Sequence, residues 1–189
     1  MNALYQAAAD LQAFVVSEGW PFCIIGGLAV QRWGVQRTTR DADMTVLTNF
    51  VNDEACISAL LKRFPSRIED PVEFARRARI LLLRHENGVD LDVALGALEF
   101  EERAIQRASW WDSNNDARLF TCSAEDLVVY KAFASRDRDW ADVESIIETQ
   151  GKPLKILQIL AEIGPLVEMK EDASIIPKLK SLLKKHNLH

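Results

Sequence analysis

The chain has 189 residues, of which 48% are hydrophobic and 27% are charged, and its formal net charge is -5. This ordinary globular composition excludes a disordered or low-complexity chain, and the acidic balance argues against indiscriminate nucleic-acid binding. No apolar run approaches the roughly 20 residues that cross a bilayer, and the N-terminus lacks the basic region of a secretory signal. Three scattered cysteines (Cys23, Cys56 and Cys122) are typical of small buried residues in a reducing compartment. We therefore predict a soluble cytoplasmic protein with no membrane segment.

The first predicted elements alternate between helix and strand. Apolar residues recur at helical spacing over residues 3–18, and a short apolar strand at 22–25 runs into Gly26-Gly27. A helix is predicted over 28–33, directly after the glycines. The alternation over 41–47 predicts a second strand.

A hairpin is the clearest signal in the middle of the chain. Helices are predicted near residues 52–63 and 71–77, and strands at 80–84 and 89–95. The two strands are joined by His85-Glu86-Asn87-Gly88, and Asn-Gly is a strong hairpin signal.

The rest of the chain is predicted to be mostly helical. A helix near 98–108 leads to a polar loop around 112–116 and a short strand at 118–122. Ser123 and Asp126 have the spacing of a capping box, so another helix begins there. The remaining predicted helices lie near residues 139–149, 153–169 and 174–186. Strands among helices, followed by helices alone, predict an α/β or α+β fold with a helical C-terminus.

The basic residues change type late in the chain. Before Lys152 all of them are Arg except Lys62 and Lys131, and from Lys152 onward all of them are Lys. This change lies beside Gly151 and Pro153, and it indicates a boundary between a core and a C-terminal helical extension.

The diglycine is the first candidate for chemistry. A strand that runs into Gly26-Gly27 and then a helix is suited to hold a phosphate, since glycine permits close backbone approach and a helix N-terminus offers unpaired N–H groups. The same pattern also occurs as plain packing.

Two pairs of aspartates strengthen the case. Asp41 and Asp43 alternate on a predicted strand, so both carboxylates project from one face about 6.5–7 Å apart. Asp90 and Asp92 repeat this spacing on the hairpin strand. If the two strands are neighbours, three carboxylates meet, and hard oxygen ligands suit Mg²⁺ and two-metal displacement chemistry. The alternative for the first pair is two exposed acids that pair with Arg37 and Arg40.

A family resemblance rests on Gly26-Gly27, on Arg37 to Asp43 and on Val89 to Val93. These motifs resemble the DNA polymerase β-like nucleotidyltransferase superfamily, with its diglycine turn, Asp-x-Asp pair and third Asp on a later strand. The chain is more closely similar to the bacterial AbiEii/AbiGii-type stand-alone nucleotidyltransferases over about residues 20–150. Those proteins commonly show a Thr just before the first Asp, here Thr38 or Thr39, and a stretch like Leu98 to Glu102, around Phe100, after the third strand. The resemblance implies a small mixed sheet flanked by helices.

The resemblance also implies a site for a nucleoside triphosphate, such as ATP, held with Mg²⁺ (two ions, with Mn²⁺ as a substitute). Asp41, Asp43 and Asp92 are the implied metal ligands and catalytic residues, with Asp92 helping to deprotonate the acceptor hydroxyl. The extra Asp90 leaves the third position ambiguous, although the distance to the stretch around Phe100 favours Asp92. The implied nucleotide-binding residues are Gly26, Gly27, Thr39, Arg40 and Lys131.

Several of these residues have structural alternatives. Lys131 would otherwise be a surface helix residue, and Arg37 and Arg40 either hold phosphate or screen the acids. Asp139 and Asp142 either orient a neighbouring cation or are ordinary acids at a helix start. The Trp110-Trp111 pair either stacks on a base or packs against the core or a partner.

The predicted division is a nucleotidyltransferase core over residues 1–122 and a helical region over 123–189. The predicted activity is transfer of a nucleoside monophosphate to a hydroxyl on RNA, protein or a small molecule. The resemblance adds a toxin role with an antitoxin protein as partner. The alternatives are a catalytically silent nucleotide- or partner-binding module and a sugar-nucleotide transferase.

Overall fold

The computed structural model describes residues 2–113 and 117–188. The chain divides into two compact units, of which the first comprises Met1–Leu28 and Thr38–Cys122 and the second comprises Ala29–Arg37 and Ser123–His189. Over the described residues, every helix is too short or too polar to traverse a lipid bilayer.

The elements found among the described residues confirm the predicted α/β class. In chain order they are α1 (Ala3–Ser17), β1 (Phe22–Ile24), α2 (Gly26–Trp33), β2 (Asp41–Leu47), α3 (Asp53–Arg63), α4 (Pro71–Ala78), β3 (Ile80–Arg84), β4 (Asp90–Gly96), α5 (Glu99–Gln106), β5 (Ser109–Asp112), β6 (Arg118–Thr121), α6 (Ala124–Ala134), α7 (Asp137–Gln150), α8 (Ile156–Lys170) and α9 (Ile175–Lys185).

The strands of the first unit form one mixed sheet in the order β3-β4-β2-β1-β6-β5. The pairs β3/β4, β1/β2 and β5/β6 are antiparallel, whereas β2/β4 and β1/β6 are parallel. The predicted hairpin is therefore confirmed as β3 and β4, and Gly88 in its turn has a φ of 88°. The order places β2 directly beside β4.

Alternation along β2 and β4 buries one face of the sheet. Ala42, Met44 and Val46 of β2 are buried, as are Leu91 and Val93 of β4. These apolar residues pack with α1 residues such as Leu11 in one hydrophobic core. The acidic residues between them in sequence consequently lie on the opposite face.

Helix α1 also completes the hydrogen bonding of β6. The Nε2 group of Gln12 donates to the carbonyl of Arg118 at 3.0 Å, and the N–H of Phe120 donates to Gln12 Oε1 at 2.8 Å. The buried Gln12 side-chain amide thus makes two hydrogen bonds with the β6 backbone of the kind that a neighbouring strand would make.

The second unit contains α6, α7, α8 and α9. The predicted start of α6 is confirmed, because the Asp126 N–H donates to Ser123 Oγ at 3.1 Å. Helix α7 begins at Asp137, two residues before the predicted start.

Two expectations differ from the structure. Strand β5 was not predicted, and Asp112, placed in the polar loop, is its last residue. Helix α2 begins at Gly26 and so includes both glycines, which were expected to precede it. The remainder of the predicted loop, residues 114–116, lies outside the described residues.

Candidate metal and nucleotide site

The parallel pairing of β2 and β4 brings the aspartates together. In the register, Asp41 lies opposite Asp90 and Asp43 lies opposite Asp92. All four are half-buried and lie on the face opposite the apolar core. The period-2 alternation of both strands therefore produces an acidic patch on one side of the sheet.

Three of these carboxylates converge. Asp41, Asp43 and Asp92 each offer one oxygen, and these oxygens all lie within 4.8 Å of one another. This acidic triad (Asp41, Asp43 and Asp92) is the one such grouping among the described residues that were searched. Its hard, anionic oxygens fit Mg²⁺ or Mn²⁺, which also relieve the repulsion between clustered carboxylates.

Asp90 is held by arginines. Its two oxygens accept from Arg67 at 3.0 Å and from Arg84 at 2.9 Å. Arg67 also donates to Asp92. Arg67 was not predicted to belong to the site, because it lies in the loop after α3 and belongs to no motif.

The Asp92 carboxyl has a raised pKa. Burial raises the pKa of its carboxyl, and the charges of Asp41 and Asp90 add to the rise, whereas Arg67 opposes it. The partly buried Asp92 carboxyl therefore binds its proton more tightly than a free aspartate does.

The diglycine packs directly against this site. Gly26 has a φ of 62°, and a Cβ atom there would lie 2.6 Å from Asp43 Cβ and overlap the carboxylate. The Gly27 N–H donates to Asp43 Oδ2 at 3.4 Å, and a Cβ on Gly27 would lie 2.7 Å from Thr39 Cβ. The local reason for both glycines is this close approach of α2 to β2 and to the segment that precedes it.

The residues before β2 support its first acid. The Thr39 hydroxyl donates to Asp41 Oδ1 at 2.9 Å, which fixes the orientation of that carboxylate. Arg40 is exposed.

Lys131 lies in the second unit, in a buried ionic cluster. Its Nζ lies 3.2 Å from Asp139 and 2.9 Å from Asp142. Arg37 forms two hydrogen bonds with Asp142, at 2.6 and 2.7 Å, and Arg136 lies 2.5 Å from Asp139. Of the alternatives for these two acids, the contacts match the one in which they orient cations.

Burial by itself raises the pKa values of Asp139 and Asp142, but the neighbouring cations reverse the shift. Arg136 and Lys131 lower the pKa of Asp139 below its ordinary value, and Arg37 and Lys131 do so for Asp142. Both acids are therefore held in the charged form.

The tryptophans of β5 differ in their surroundings. Trp111 packs against the hydrophobic core, and its ring centroid lies 6.2 Å from that of Tyr5 in a tilted arrangement. Trp110 is 47% exposed and contacts the Phe120 ring and the Arg118 guanidinium. Packing against the core thus accounts for one of the pair.

Several solved structures resemble the chain, among them two that cover most of it. An antigenic nucleotidyltransferase-like protein from Paracoccidioides brasiliensis is 20% identical with a TM-score of 0.50, covering 94% of this chain and 92% of its own. The antibiotic-resistance factor ANT(2'')-Ia is 11% identical with a TM-score of 0.54, covering 88% of this chain and 92% of its own. No curated protein matches the chain.

These neighbours define the fold as that of the nucleotidyltransferases. The chain belongs to the family described as nucleotidyltransferase of unknown function (DUF6036), which matches residues 2–176. These findings confirm the predicted nucleotidyltransferase fold and membership of a nucleotidyltransferase family.

Proposed function

We propose that the protein transfers a nucleoside monophosphate from a nucleoside triphosphate to an acceptor hydroxyl, with pyrophosphate leaving. The observation that carries the proposal is the acidic triad, in which three carboxylate oxygens lie within 4.8 Å of one another. Membership of a nucleotidyltransferase family supports the same reaction class.

The triad would hold Mg²⁺, or Mn²⁺, in one or two positions. Such ions neutralise the triphosphate and stabilise the charge of the leaving pyrophosphate. The chain itself supplies the orientation of the ligands, because Thr39 fixes Asp41 and the Gly27 N–H contacts Asp43.

Asp92 is the proposed acceptor of the proton from the attacking hydroxyl. Its carboxylate belongs to the acidic triad, so a hydroxyl that approaches an ion held there would lie close to it. Gly26, Gly27, Thr39, Arg40 and Lys131 remain the proposed nucleotide-binding residues.

The acceptor is RNA, protein or a small molecule, and antibiotics belong in a screen because one fold neighbour is named an antibiotic-resistance factor. We also propose that the protein is close to the AbiEii/AbiGii-type enzymes, that it acts as a toxin with an antitoxin partner and that it is cytoplasmic. We further propose a division into a core at 1–122 and a helical region at 123–189.

The direct test is incubation with each α-labelled nucleoside triphosphate, Mg²⁺ or Mn²⁺ and a cell extract. We expect label on one class of acceptor, and none with the Asp41→Asn/Asp43→Asn double variant. Absence of labelled product with all four nucleotides, or equal labelling by the double variant, contradicts the proposal.

The alternative is a catalytically silent nucleotide- or partner-binding module. One observation favours it, since Arg67 pairs with Asp92 and places a cation beside the triad. Nucleotide binding without any transfer in the labelling experiment would support this alternative.

A further inference from the structure

We propose that Arg67 is a built-in counter-cation that holds Asp92 and competes with a divalent ion for it. This inference rests on the proposed function, because it concerns the same three carboxylates. It assigns Arg67 as a positioning residue that sets the metal affinity of the site.

The backbone fixes where Arg67 begins. The Arg67 N–H donates to the Leu82 carbonyl at 3.0 Å, and the Arg84 N–H donates to the Pro65 carbonyl at 2.9 Å. The bridge between Ser66 and Leu83 lies between these two bonds. The segment 65–67 therefore runs along the outer edge of β3.

The register of the sheet then directs Arg67 to the acids. Leu82, which accepts from Arg67, lies opposite Asp92 on β4, and Asp92 lies opposite Asp43 on β2. Neighbours across a sheet project on one face, so Arg67 reaches the acidic face from the side.

The guanidinium is divided between two acids with different surroundings. It bonds to Asp92, a member of the triad, and to Asp90, which is not one. Arg84 also bonds to Asp90, so Asp90 is an anchor common to both arginines.

The position of Arg67 leaves one polar group unsatisfied. Its Nε is buried and has no hydrogen-bond partner. A buried donor without an acceptor costs free energy, so the unpartnered Nε destabilises this placement of the guanidinium. Arg67 is thus a counter-cation that a cation with higher affinity for the Asp92 carboxylate displaces.

A divalent ion at the triad is such a cation, because it binds the Asp92 carboxylate more strongly than the guanidinium does. An ion at the triad and a guanidinium on Asp92 repel each other, and both require the Asp92 carboxylate. Arg67 loses only one of its two carboxylates on displacement, because Asp90 lies outside the triad. Binding of the ion and release of Asp92 by Arg67 are therefore coupled.

The test is a titration of the purified protein with Mn²⁺ alone, in which electron paramagnetic resonance measures the concentration of free Mn²⁺. Arg67→Gln removes the competing charge, and we expect the dissociation constant for Mn²⁺ to fall about tenfold. Arg67→Lys keeps the charge, and we expect a value within about threefold of wild type.

Arg84→Gln is the matched control. It removes the same charge from the same acidic face, but Arg84 contacts Asp90 and is half exposed. We expect its dissociation constant to stay within about twofold of wild type. Arg67→Met retains the apolar stem and gives the same test if the Gln variant does not fold.

The outcomes separate this inference from the proposed function. If Asp43→Asn abolishes Mn²⁺ binding but Arg67→Gln leaves the Mn²⁺ affinity equal or weaker, the role of Arg67 is overturned and the metal site stands. Weakening by both Arg67→Gln and Arg67→Lys assigns Arg67 to packing and also overturns the role. Absence of binding in both the wild type and Arg67→Gln overturns the metal site and the inference together.

Discussion

The Asp43 carboxylate fills the volume in which residue 26 would carry a Cβ atom. A Cβ on Gly26 would lie 2.6 Å from Asp43 Cβ, and Gly26 has a φ of 62° that side chains other than glycine rarely adopt. The conformation of the helix start and the position of a candidate metal ligand are therefore fixed by the same contact.

Replacement of Gly26 by Ala should disturb both the start of helix α2 and the position of the Asp43 carboxylate. We expect Gly26→Ala to lower the free energy of unfolding by about 3 kcal/mol or more, through backbone strain and overlap together, and to weaken Mn²⁺ binding. Gly19→Ala is the matched control, since Gly19 has a φ of 72° with nothing within 4 Å of a Cβ. It should cost about 1 kcal/mol, measured by urea unfolding, and leave Mn²⁺ binding unchanged. Equal effects of the two variants would contradict the role of the contact.

The two acids of β4 should behave differently. We expect Asp92→Asn to reduce transfer by about 100-fold or more, because it removes a ligand and the proposed proton acceptor. Asp90→Asn should reduce transfer by less than about tenfold, because Asp90 lies outside the triad and pairs with arginines. The measurement is the initial rate of label transfer, and a larger loss for Asp90→Asn would reverse the assignment.

Lys131 should be important for stability. Lys131→Met leaves Asp139 and Asp142 without a cation that lies within 3.2 Å of both, while Arg136 and Arg37 still pair with one acid each, and we expect a loss of about 1.5–3 kcal/mol in urea unfolding. Lys180→Met on α9 replaces an exposed lysine, and we expect a change within about 0.5 kcal/mol. A similar small change for Lys131→Met would show that the cluster contributes little.

The proposed nucleotide role of Lys131 requires a separate measurement. If Lys131 contacts phosphate, folded Lys131→Ala protein should bind nucleoside triphosphate more weakly while its Mn²⁺ affinity stays near that of wild type. Unchanged nucleotide affinity in this variant would restrict Lys131 to its ionic cluster.

The stability of the cluster should depend on acid pH. Burial alone would raise the pKa of the Asp142 carboxyl, but Arg37 and Lys131 outweigh it and hold this pKa in the folded protein below that of a free aspartate. The stabilisation is therefore fully present above about pH 4–5 and is lost as the pH falls below about 4, through the folded pKa. Urea unfolding of wild type and Asp142→Asn between pH 7 and pH 3 should show a difference that narrows on acidification. A constant difference would contradict this.

The cysteines should be unreactive in the native state. Cys23, Cys56 and Cys122 are buried, and burial raises the pKa of the Cys56 thiol to about 12. We expect an aromatic disulfide reagent at pH 8 to label none of them within minutes, and all three after denaturation in urea. Rapid labelling of native protein would show that one of them is accessible.

The local part of the fold was predictable because the signals are local. The Asn87-Gly88 turn determined the hairpin, and the alternation of β2 and β4 determined which side chains share a face. Strand β5 was missed because its four residues are too few to show a period.

The site was predictable where one strand carries its pattern, as in Asp41 and Asp43. The contribution of Arg67 was not, because it depends on how segment 65–67 pairs with β3. The bonds between Arg37 and Asp142 join residues 105 positions apart, and no spacing rule connects them.

The Gln12 amide has a consequence for the order in which the protein assembles during translation. Its two partners, the Arg118 carbonyl and the Phe120 N–H, lie more than 100 positions downstream. Helix α1 leaves the ribosome before these partners, so more than 100 further residues must be synthesised before the bonds can form. A nascent chain truncated before residue 118 lacks this closure.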